Sequence, residues 1–407
     1  MSPGAERVLV LDAHLRHAVA IVRSLGKQGV SVVSASAHRR FPAKHSRYGQ
    51  ESVLLGSETS GVELLRIIEE HEIDVVIAAG LPGNELLCLH RQQLEPHVRA
   101  AFNDLETYQC LSDKDAAGLL ANRLGVRRPA TRQARDPEDA VQLAEELCFP
   151  LVFKSPIDQG TVRYANDVEE LRRLIAGFIR DNPVLIDRGA YPLVQQYIDG
   201  VGHGFYGLAD HGRLQAYFMH RRLHEVPPTG GPSAMAMSHR DPKLLELGER
   251  FFSETAWHGV AMVEFKRSSL DGEYYFIEVN PKFWGSLDLS IAAGVDFPFL
   301  LYKLLIGAPL GVIAGAYRDD AIFRWLTMDL AYAVSAHRLR GYLRSFADHR
   351  IADDFDRSDV LPTATLFASG LSRMAAPLRK QMSSHTQRHK HDEASVRSVA
   401  KHQRITA

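Results

Sequence analysis

Short apolar runs of strand length recur near the start of the chain, and their composition strongly limits the fold. The runs are near-continuous in aliphatic and β-branched side chains; they are Arg7–Leu11, Val30–Val33 and Asp74–Gly80. Strands of this kind are buried on both faces, which is typical of parallel strands whose connecting helices cover the sheet. Segments with helical spacing, Ala18–Leu25 and Val62–His71, lie between the runs. The pattern therefore predicts a small, doubly wound, parallel-sheet α/β domain at the N-terminus.

The first apolar run is not followed by a GxGxxG motif. That motif supplies the tight turn and the close backbone approach that a dinucleotide pyrophosphate requires. The N-terminal domain therefore lacks the main sequence support for dinucleotide binding.

Beyond residue 108 the order changes from helix-rich to strand-rich, which predicts an α+β unit after the α/β unit. A helix is predicted from Ser112 or Asp113 to Gly125, and others over Pro137–Leu147 and Val168–Arg180, before several strands between Gly204 and Glu278. A helical extension is then predicted from apolar residues at helical spacing, Ile322, Trp325, Leu326 and Leu330. The predicted units are an N-terminal domain (1–108), a two-part domain (109–198 and 199–312), a short helical extension (313–370) and a disordered basic tail (371–407).

Composition limits the class of partner and the compartment. The chain has 407 residues, a formal net charge of −1 and a sequence pI near 7.0, so its overall charge favours neither nucleic acid nor an acidic membrane. Its three cysteines lie far apart, which argues against a disulfide framework and predicts a reducing cytoplasm. No signal-peptide pattern opens the sequence, and Phe297–Ala316 is interrupted by Pro298, Lys303 and Pro309, so a buried helix is predicted there rather than a membrane span.

Two short apolar strands deliver a carboxylate near their ends, and these carboxylates are the strongest functional signal. Glu264 ends one strand, and Glu278 ends the next, followed two residues later by Asn280. A turn between them predicts antiparallel pairing that brings the two acids together, while Glu278 and Asn280 share one face. Oxygen ligands of this kind suit Mg²⁺, which also binds nucleotide phosphates. The alternative interpretation is that the acids are ordinary polar ends of edge strands.

At this point the sequence resembles the ATP-grasp superfamily, which includes carboxylate–amine ligases, carbamoyl-phosphate synthase large chains and D-alanine–D-alanine ligase. Four segments carry the resemblance in the family's order, and the resemblance covers roughly residues 1–310. They are SDKDAAGLLANRLGVRRPAT, FPLVFKS, LVQQYIDG and GVAMVEFK with YYFIEVNPKFWGSLDLSIAAGVDFP. The resemblance implies a two-subdomain ATP-grasp fold over 109–312, with a first nucleotide-binding subdomain (109–198) and a metal and substrate subdomain (199–312).

By resemblance, the nucleotide would be held by two lysines, a loop and a hinge strand. Lys114 and Lys154 would bind the phosphates, and the loop that begins at Ser155 would cover them. The backbone of the hinge would contact adenine; its residues are Gln195, Gln196, Tyr197 and Ile198. Family members usually carry a glutamate in this hinge, and Gln196 stands there instead, so recognition of the ribose by a carboxylate is in doubt.

A strand ending in two adjacent arginines leads into a loop rich in proline and glycine. Neighbouring residues on a strand face opposite ways, so one of Arg221 and Arg222 can enter the site while the other stays outside. Arginine matches carboxylate and phosphate oxygens bidentately, so both are candidate catalytic residues. Lys282, just after the metal strand, is a third, and Trp284 can line the pocket or belong to the core. The alternative is a surface strand with a mobile turn.

The resemblance implies an ATP-binding, metal-binding, ADP-forming ligase. Using Mg²⁺, with Mn²⁺ as a substitute, it would convert a small-molecule carboxylate into an acyl phosphate for attack by an amine or another nucleophile. The partners implied are these small molecules, not nucleic acid or membrane, with a homodimer as an option. Two alternatives stay open: phosphorylation of bicarbonate or carbamate, as in carbamoyl-phosphate synthase, and a non-catalytic ATP-binding regulatory module.

Overall fold

The computed structural model describes residues 6–56, 59–157, 162–228, 230–311 and 314–370. Within them the chain forms three β-sheets and the helices that cover these sheets. The strands are β1 (Arg7–Leu11), β2 (Ser31–Ser36), β3 (Glu51–Leu54), β4 (Val75–Ala78), β5 (Thr131–Gln133), β6 (Leu151–Lys154), β7 (Arg163–Ala165), β8 (Leu193–Gln196), β9 (Gly200–Asp210), β10 (Arg213–Glu225), β11 (Ser233–Ser238), β12 (Gly259–Ser268), β13 (Tyr274–Asn280), β14 (Ile322–Arg324) and β15 (Ile351–Asp353). The helices are α1 (Arg16–Lys27), α2 (Gly61–Glu70), α3 (Leu81–Leu89), α4 (Arg91–Leu94), α5 (Leu105–Ser112), α6 (Lys114–Arg123), α7 (Asp139–Leu147), α8 (Val168–Asp181), α9 (Pro183–Asp187), α10 (Pro242–Glu254), α11 (Leu287–Ala293), α12 (Phe297–Leu305), α13 (Leu326–Ser335) and α14 (Leu339–Arg344), with 3-10 turns at Pro42–His45 and Ser345–Ala347.

The N-terminal sheet is parallel throughout, in the order β3-β2-β1-β4. Alternate residues of β1 enter different cores: Val8 and Val10 pack with α1, whereas Leu9 and Leu11 pack with α2. Because both faces are covered, every one of these side chains is buried, which explains the absence of polar alternation. The predicted doubly wound domain is confirmed.

The second sheet has the order β5-β8-β6-β7 and is antiparallel at each pairing. The apolar faces of α7 and α8 cover one side of it, with Leu143 and Ile175 packed against Phe153 and Val194. This sheet carries two of the segments singled out in the sequence, since β6 ends at Lys154 and β8 is the hinge strand.

The largest sheet has the order β13-β12-β9-β10-β11-β14-β15. Its long central strands are antiparallel, and β12 and β13 form the predicted hairpin. Helix α10 packs on this sheet, against β9 and β10. Its start signal is Asp241, whose carboxylate accepts hydrogen bonds from the backbone N–H groups of Lys243 and Leu244, directly before Pro242.

The C-terminal extension contains helices α13 and α14, and residues 360–370 are helical too. It is not wholly helical, because Ile322 lies in β14, which pairs with β11, and β15 then adds a further strand in parallel. The assignment of Ile322 to a helix was therefore wrong, and the sheet continues past residue 312. The predicted disordered tail, 371–407, lies outside the described residues.

The apolar segment that begins at Phe297 forms the short buried helix α12, as predicted. Across the described part of the chain, every helix is too short or too polar to span a bilayer.

Candidate functional site

A cavity of about 430 Å³ lies between the second sheet and the largest sheet. Strands β6 and β8 form one wall, and β10, β12 and β13 contribute to the other. Helix α6 adds Lys114 at the edge, and α1 of the N-terminal domain adds Arg16. Parts of the chain far apart in sequence therefore meet around one space of ligand size.

The two acids and the amide predicted to converge lie together on the wall of this cavity. Glu264 on β12 is the direct antiparallel partner of Glu278 on β13, so both side chains face the same way. Asn280 lies two residues farther along β13, on the same face, and its Nδ2 donates to Oε1 of Glu278 at 2.9 Å. The hairpin thus presents two carboxylates and an amide at neighbouring positions.

The two carboxyl groups lie near different cations, so their pKa values shift in opposite directions. Burial raises the pKa of Glu278, but nearby Lys114 and Lys154 outweigh it and lower that pKa to about 2. Burial raises the pKa of Glu264, an effect that Arg222 opposes and the charge of Glu278 reinforces. Glu278 is therefore ionised at neutral pH, and Glu264 is the acid whose charge depends more on its partners.

Lys114 reaches the site because a capped helix begins beside it. The carboxylate of Asp113 accepts hydrogen bonds from the backbone N–H groups of Asp115 and Ala116, and so caps α6. Lys114 is the first residue of that helix, and its backbone N–H donates to the carbonyl of Pro156 at 3.0 Å. Its Nζ lies 3.4 Å from Oε2 of Glu278. Lys114 therefore links α6 to the segment after β6 and to the carboxylate pair.

Lys154 ends β6 inside the cavity and is buried, with 7% of its surface exposed. Burial lowers the pKa of its ammonium group to about 8, and the charge of Glu278 opposes that shift. The next residue, Ser155, has a buried Oγ without a hydrogen-bond partner among the described residues. Residues 158–161 of the following loop, which the sequence assigned to phosphate contact, lie outside the described residues.

All four hinge residues, Gln195 to Ile198, line the cavity. The side-chain amide of Gln195 donates to Oγ1 of Thr131 at 2.9 Å, within the sheet. Gln196 is exposed, and its backbone N–H donates to the carbonyl of Ala130. Lys266, which the sequence reading did not select, lies with its Nζ 4.7 Å from the ring centre of Tyr197. Lys266 could have been predicted as a site residue because it follows Glu264 by two residues on one strand, which places both side chains on the same face.

Of the two adjacent arginines, Arg222 lines the cavity and Arg221 does not. Nη2 of Arg222 donates to Oε2 of Glu264 at 2.5 Å, and its Nη1 donates to Oε1 of Glu225 at 3.0 Å. Arg221 is exposed on the other face of β10, as strand alternation requires. Of the two arginines predicted as catalytic residues, Arg221 therefore lies outside the cavity and Arg222 lines it. Glu225, which the sequence analysis does not identify, holds the guanidinium of Arg222 in place.

Further side chains that follow β13 in the chain, or belong to the loop after β10, also line the cavity. Lys282 and Trp284 both line it, as the sequence suggested, and so do Gly230 and Gly231, while Thr229 lies outside the described residues. Ser286 also lines it and hydrogen bonds to Nε2 of buried His220 at 2.8 Å. Nε of Arg222 and Nε1 of Trp284 are buried without a hydrogen-bond partner among the described residues. Such donors need an acceptor, so this part of the cavity is prepared for a polar ligand.

No protein-family model matches this chain. Among curated proteins, it is 26% identical over 258 residues to the C-terminal section of the carbamoyl phosphate synthase large chain of Methanopyrus kandleri, covering 60% of this chain and 46% of that protein. It is 25% identical over 315 residues to the carbamoyl phosphate synthase large chain of Thermus thermophilus, covering 70% of this chain and 29% of that protein. The chain thus spans less than half the length of these relatives.

Solved structures share the fold. The biotin carboxylase domain of 2-oxoglutarate carboxylase from Hydrogenobacter thermophilus, solved with MgADP, ADP and bicarbonate, superposes with a TM-score of 0.63 at 17% identity, over 78% of this chain and 73% of that one. L-amino acid ligase from Bacillus licheniformis superposes with a TM-score of 0.58 at 16% identity, over 78% of each chain. The fold expected from the sequence is therefore confirmed.

Proposed function

We infer that this chain belongs to the ATP-grasp superfamily, from its similarity to carbamoyl phosphate synthase large chains and from its fold. We propose that it uses ATP to activate a small-molecule carboxylate for attack by an amine or another nucleophile, releasing ADP and phosphate. One observation carries the proposal: Glu264, Glu278 and Asn280 line the same cavity as Lys114 and Lys154. Carboxylates opposite buried ammonium groups are the arrangement needed to hold a metal ion and a polyphosphate together.

The donor set fits Mg²⁺. Glu264, Glu278 and Asn280 offer carboxylate and amide oxygens, the hard ligands that this ion takes together with phosphates and water. Glu278 is ionised at neutral pH, since its pKa is lowered to about 2. Bound Mg²⁺ supplies positive charge that offsets the phosphate oxygens. Mn²⁺ prefers similar ligands and is the expected substitute.

The cations hold the nucleotide. Lys154 and Lys114, which line the cavity, bind the phosphate oxygens as compact point charges. Ser155 is not among the lining residues; its buried Oγ, which has no hydrogen-bond partner among the described residues, is what supports a role for it in phosphate binding. The hinge backbone from Gln195 to Ile198 binds the base. Because Gln196 replaces the family's glutamate, the ribose is held without a carboxylate at that position, which favours weaker binding of the nucleoside.

Arg222 orients the acid substrate. Its Nε–H is buried and unsatisfied among the described residues, so it can donate to a carboxylate oxygen while Glu264 and Glu225 fix the guanidinium. That oxygen attacks the γ-phosphorus, the bond to the ADP oxygen breaks, and an acyl phosphate results. Lys282, which also lines the cavity, supplies positive charge near the acyl group. An amine then attacks the acyl carbon, and phosphate leaves.

A second candidate is phosphorylation of bicarbonate or carbamate. Its support is the sequence similarity to carbamoyl phosphate synthase large chains, of which this chain matches only part. A nucleotide-binding module without turnover is the third, supported by the altered hinge. The cytoplasmic location, the homodimer and the domain boundaries at residues 108, 198 and 312 remain predictions from the sequence.

The test is a screen for ADP release over amino acids, other small carboxylates and bicarbonate, each with and without an amine. The proposal expects release that needs both an organic acid and an amine. Release with bicarbonate alone favours the second candidate, no release with any acid favours the third, and formation of AMP and pyrophosphate rejects all of them.

A variant pair ties the activity to the site. Glu278→Gln should lower ADP release by about 10² or more, because it removes a carboxylate that would hold Mg²⁺, the ion whose charge stabilises the transferring phosphate. Glu273→Gln is the matched control, since Glu273 is exposed in the turn of the same hairpin. Equal activity of the two variants would remove Glu278 from the proposal.

A further inference from the structure

A second group of metal-ligating side chains lies at the opposite end of the largest sheet. Asp210 ends β9, His211 forms the β9–β10 turn, and His258 precedes β12. Gly204, which pairs with Glu264, is six residues before Asp210 on β9, which separates this group from the cavity acids by about 20 Å along the strand. The group is therefore independent of the nucleotide site.

The backbone around these side chains is fixed from several directions. His211 and Gly212 both have positive φ, 45° and 85°, as a two-residue hairpin turn requires. The N–H of Gly212 donates to the carbonyl of Trp257 at 2.8 Å, which attaches the hairpin tip to the segment before β12. Asn103 bonds to both the N–H and the carbonyl of His258, at 2.9 and 2.8 Å. The backbone around the three side chains is thus held by contacts within the fold.

The distances suit one small cation. Nδ1 of His258 lies 3.2 Å from Oδ1 of Asp210, and Nε2 of His211 lies 3.9 Å from the same oxygen. All three ligand atoms lie within 4.8 Å of one another. In a tetrahedral zinc site with bonds of about 2.0–2.1 Å, ligand atoms are about 3.3 Å apart. The first separation matches, and the second closes with a small movement of His211, whose side chain is exposed.

The simplest competing explanation is an ordinary ion pair between histidine and aspartate. Nδ1 of His258 is buried and, despite its closeness to Asp210, meets no hydrogen-bond geometry with any described partner. A buried ring nitrogen that lies close to a carboxylate oxygen without a hydrogen bond to it fits a shared metal ion better than an ion pair.

The surroundings permit a positive ion. The two imidazole rings are stacked, with centres 4.4 Å apart and planes 14° apart, and one nitrogen of each ring lies within 4.8 Å of a carboxylate oxygen of Asp210. The nearby charge of Arg91 is shared with Glu95 and Asp104, at 3.1 and 3.0 Å. We propose that Asp210, His211 and His258 bind Zn²⁺, with water completing the coordination, and that the ion fastens the β9–β10 hairpin to the segment before β12.

His211→Asn is the informative variant. It removes one ligand, while Asn-Gly is the preferred sequence for this turn type, so the hairpin is retained. His337→Asn is the matched control, because His337 is also exposed and also has a positive φ, 56°. Zinc binding to the untagged full chain is measured by calorimetry in excess Mg²⁺, which occupies the cavity acids. The tail's own histidines, among them His385, His389 and His391, are present in every sample and cancel in the comparison.

The proposal expects the wild type and His337→Asn to bind one equivalent more than His211→Asn, or to bind that equivalent at least about tenfold more tightly. Asp210→Asn should behave like His211→Asn. With Co²⁺ in place of zinc, the strong visible absorption of tetrahedral Co²⁺ should appear in the wild type. It should weaken in His211→Asn and in Asp210→Asn. Equal stoichiometry and affinity in wild type and His211→Asn would overturn the site, and would assign any bound zinc to other residues.

Discussion

Lys154 shows how a single buried residue can link the chemistry of the site to pH. Its ammonium group is buried, and burial lowers its pKa to about 8, below that of an exposed lysine. In the ligand-free chain the cost of burying this charge is only partly offset by Glu278. A phosphate brought next to Lys154 supplies the missing negative charge, so nucleotide binding and protonation of this lysine support each other.

From this we predict the pH dependence of kcat/KM for ATP. That quantity reports the free enzyme, so it should fall by about tenfold per pH unit above about pH 8, as Lys154 loses its proton. The stability of the ligand-free chain changes in the opposite direction. Because the folded pKa is lowered, the unfolded chain binds more protons between pH 8 and about 10.4, and this residue adds stability as the pH rises through that window.

Lys154→Arg is the control for the pH profile. Arginine stays protonated throughout, so the variant should lose the alkaline decline, even if its bulkier head lowers activity at every pH. The measurement is the initial rate of ADP release at limiting ATP from pH 6 to about 10. An alkaline decline of equal position in the variant and the wild type would assign it to another group.

At the scale of elements, the strands and their acids were predictable because period-2 alternation and apolar runs act locally. The pairing of Glu264 with Glu278 follows from two strands and a short turn, and the burial of β1 from its unbroken apolar run. Ile322 was misassigned because a short apolar run fits a strand as well as a helix, and pairing with β11 decided between them. Glu225 and Lys266 were missed because their roles depend on which strands become neighbours.

The contact of α10 with β9 gives a prediction at this scale. A Cβ on Gly248 would lie 2.2 Å from the ring of Phe205, which is fully buried between Tyr217 and Phe252. The ring cannot move away, so Gly248→Ala should lower the free energy of unfolding by about 1–3 kcal/mol or more. Phe205 pairs with Val263, the neighbour of Glu264, so activity should fall as well.

Gly177→Ala in α8 is the matched comparison. Gly177 also lies inside a helix, but the nearest atom to its added Cβ would be 3.9 Å away. This substitution should raise the free energy of unfolding by about 0.5–1 kcal/mol, because alanine favours the helix more than glycine does. Urea unfolding of both variants checks the pair. A Gly248→Ala protein as stable as the wild type would mean that α10 is not tightly packed on β9.

At the scale of the whole molecule, the C-terminal extension closes back onto the N-terminal domain. Arg23 on α1 donates from Nε to Oδ2 of Asp359 at 2.9 Å, and Ser46 and the backbone of Arg47 bind the same carboxylate at 2.8 Å each. The guanidinium of Arg16, which reaches the cavity, lies 4.9 Å from the ring centre of Trp325 in the extension. The extension therefore supports the helix that presents an arginine to the site.

This arrangement makes Asp359 a test of whether the extension is part of the stable fold. Asp359→Asn keeps the size of the side chain but leaves the buried guanidinium of Arg23 without a counter-charge, which should cost about 3–5 kcal/mol of unfolding free energy. Asp356→Asn removes a neighbouring pair with Lys27, whose side chain is 48% exposed, and should cost no more than about 1 kcal/mol. Urea unfolding followed by tryptophan fluorescence, which includes Trp325, measures both. If both variants lower the free energy of unfolding by the same small amount, the extension unfolds separately and α1 holds Arg16 at the cavity without it. A large loss for Asp359→Asn alone means that the site depends on the C-terminal extension.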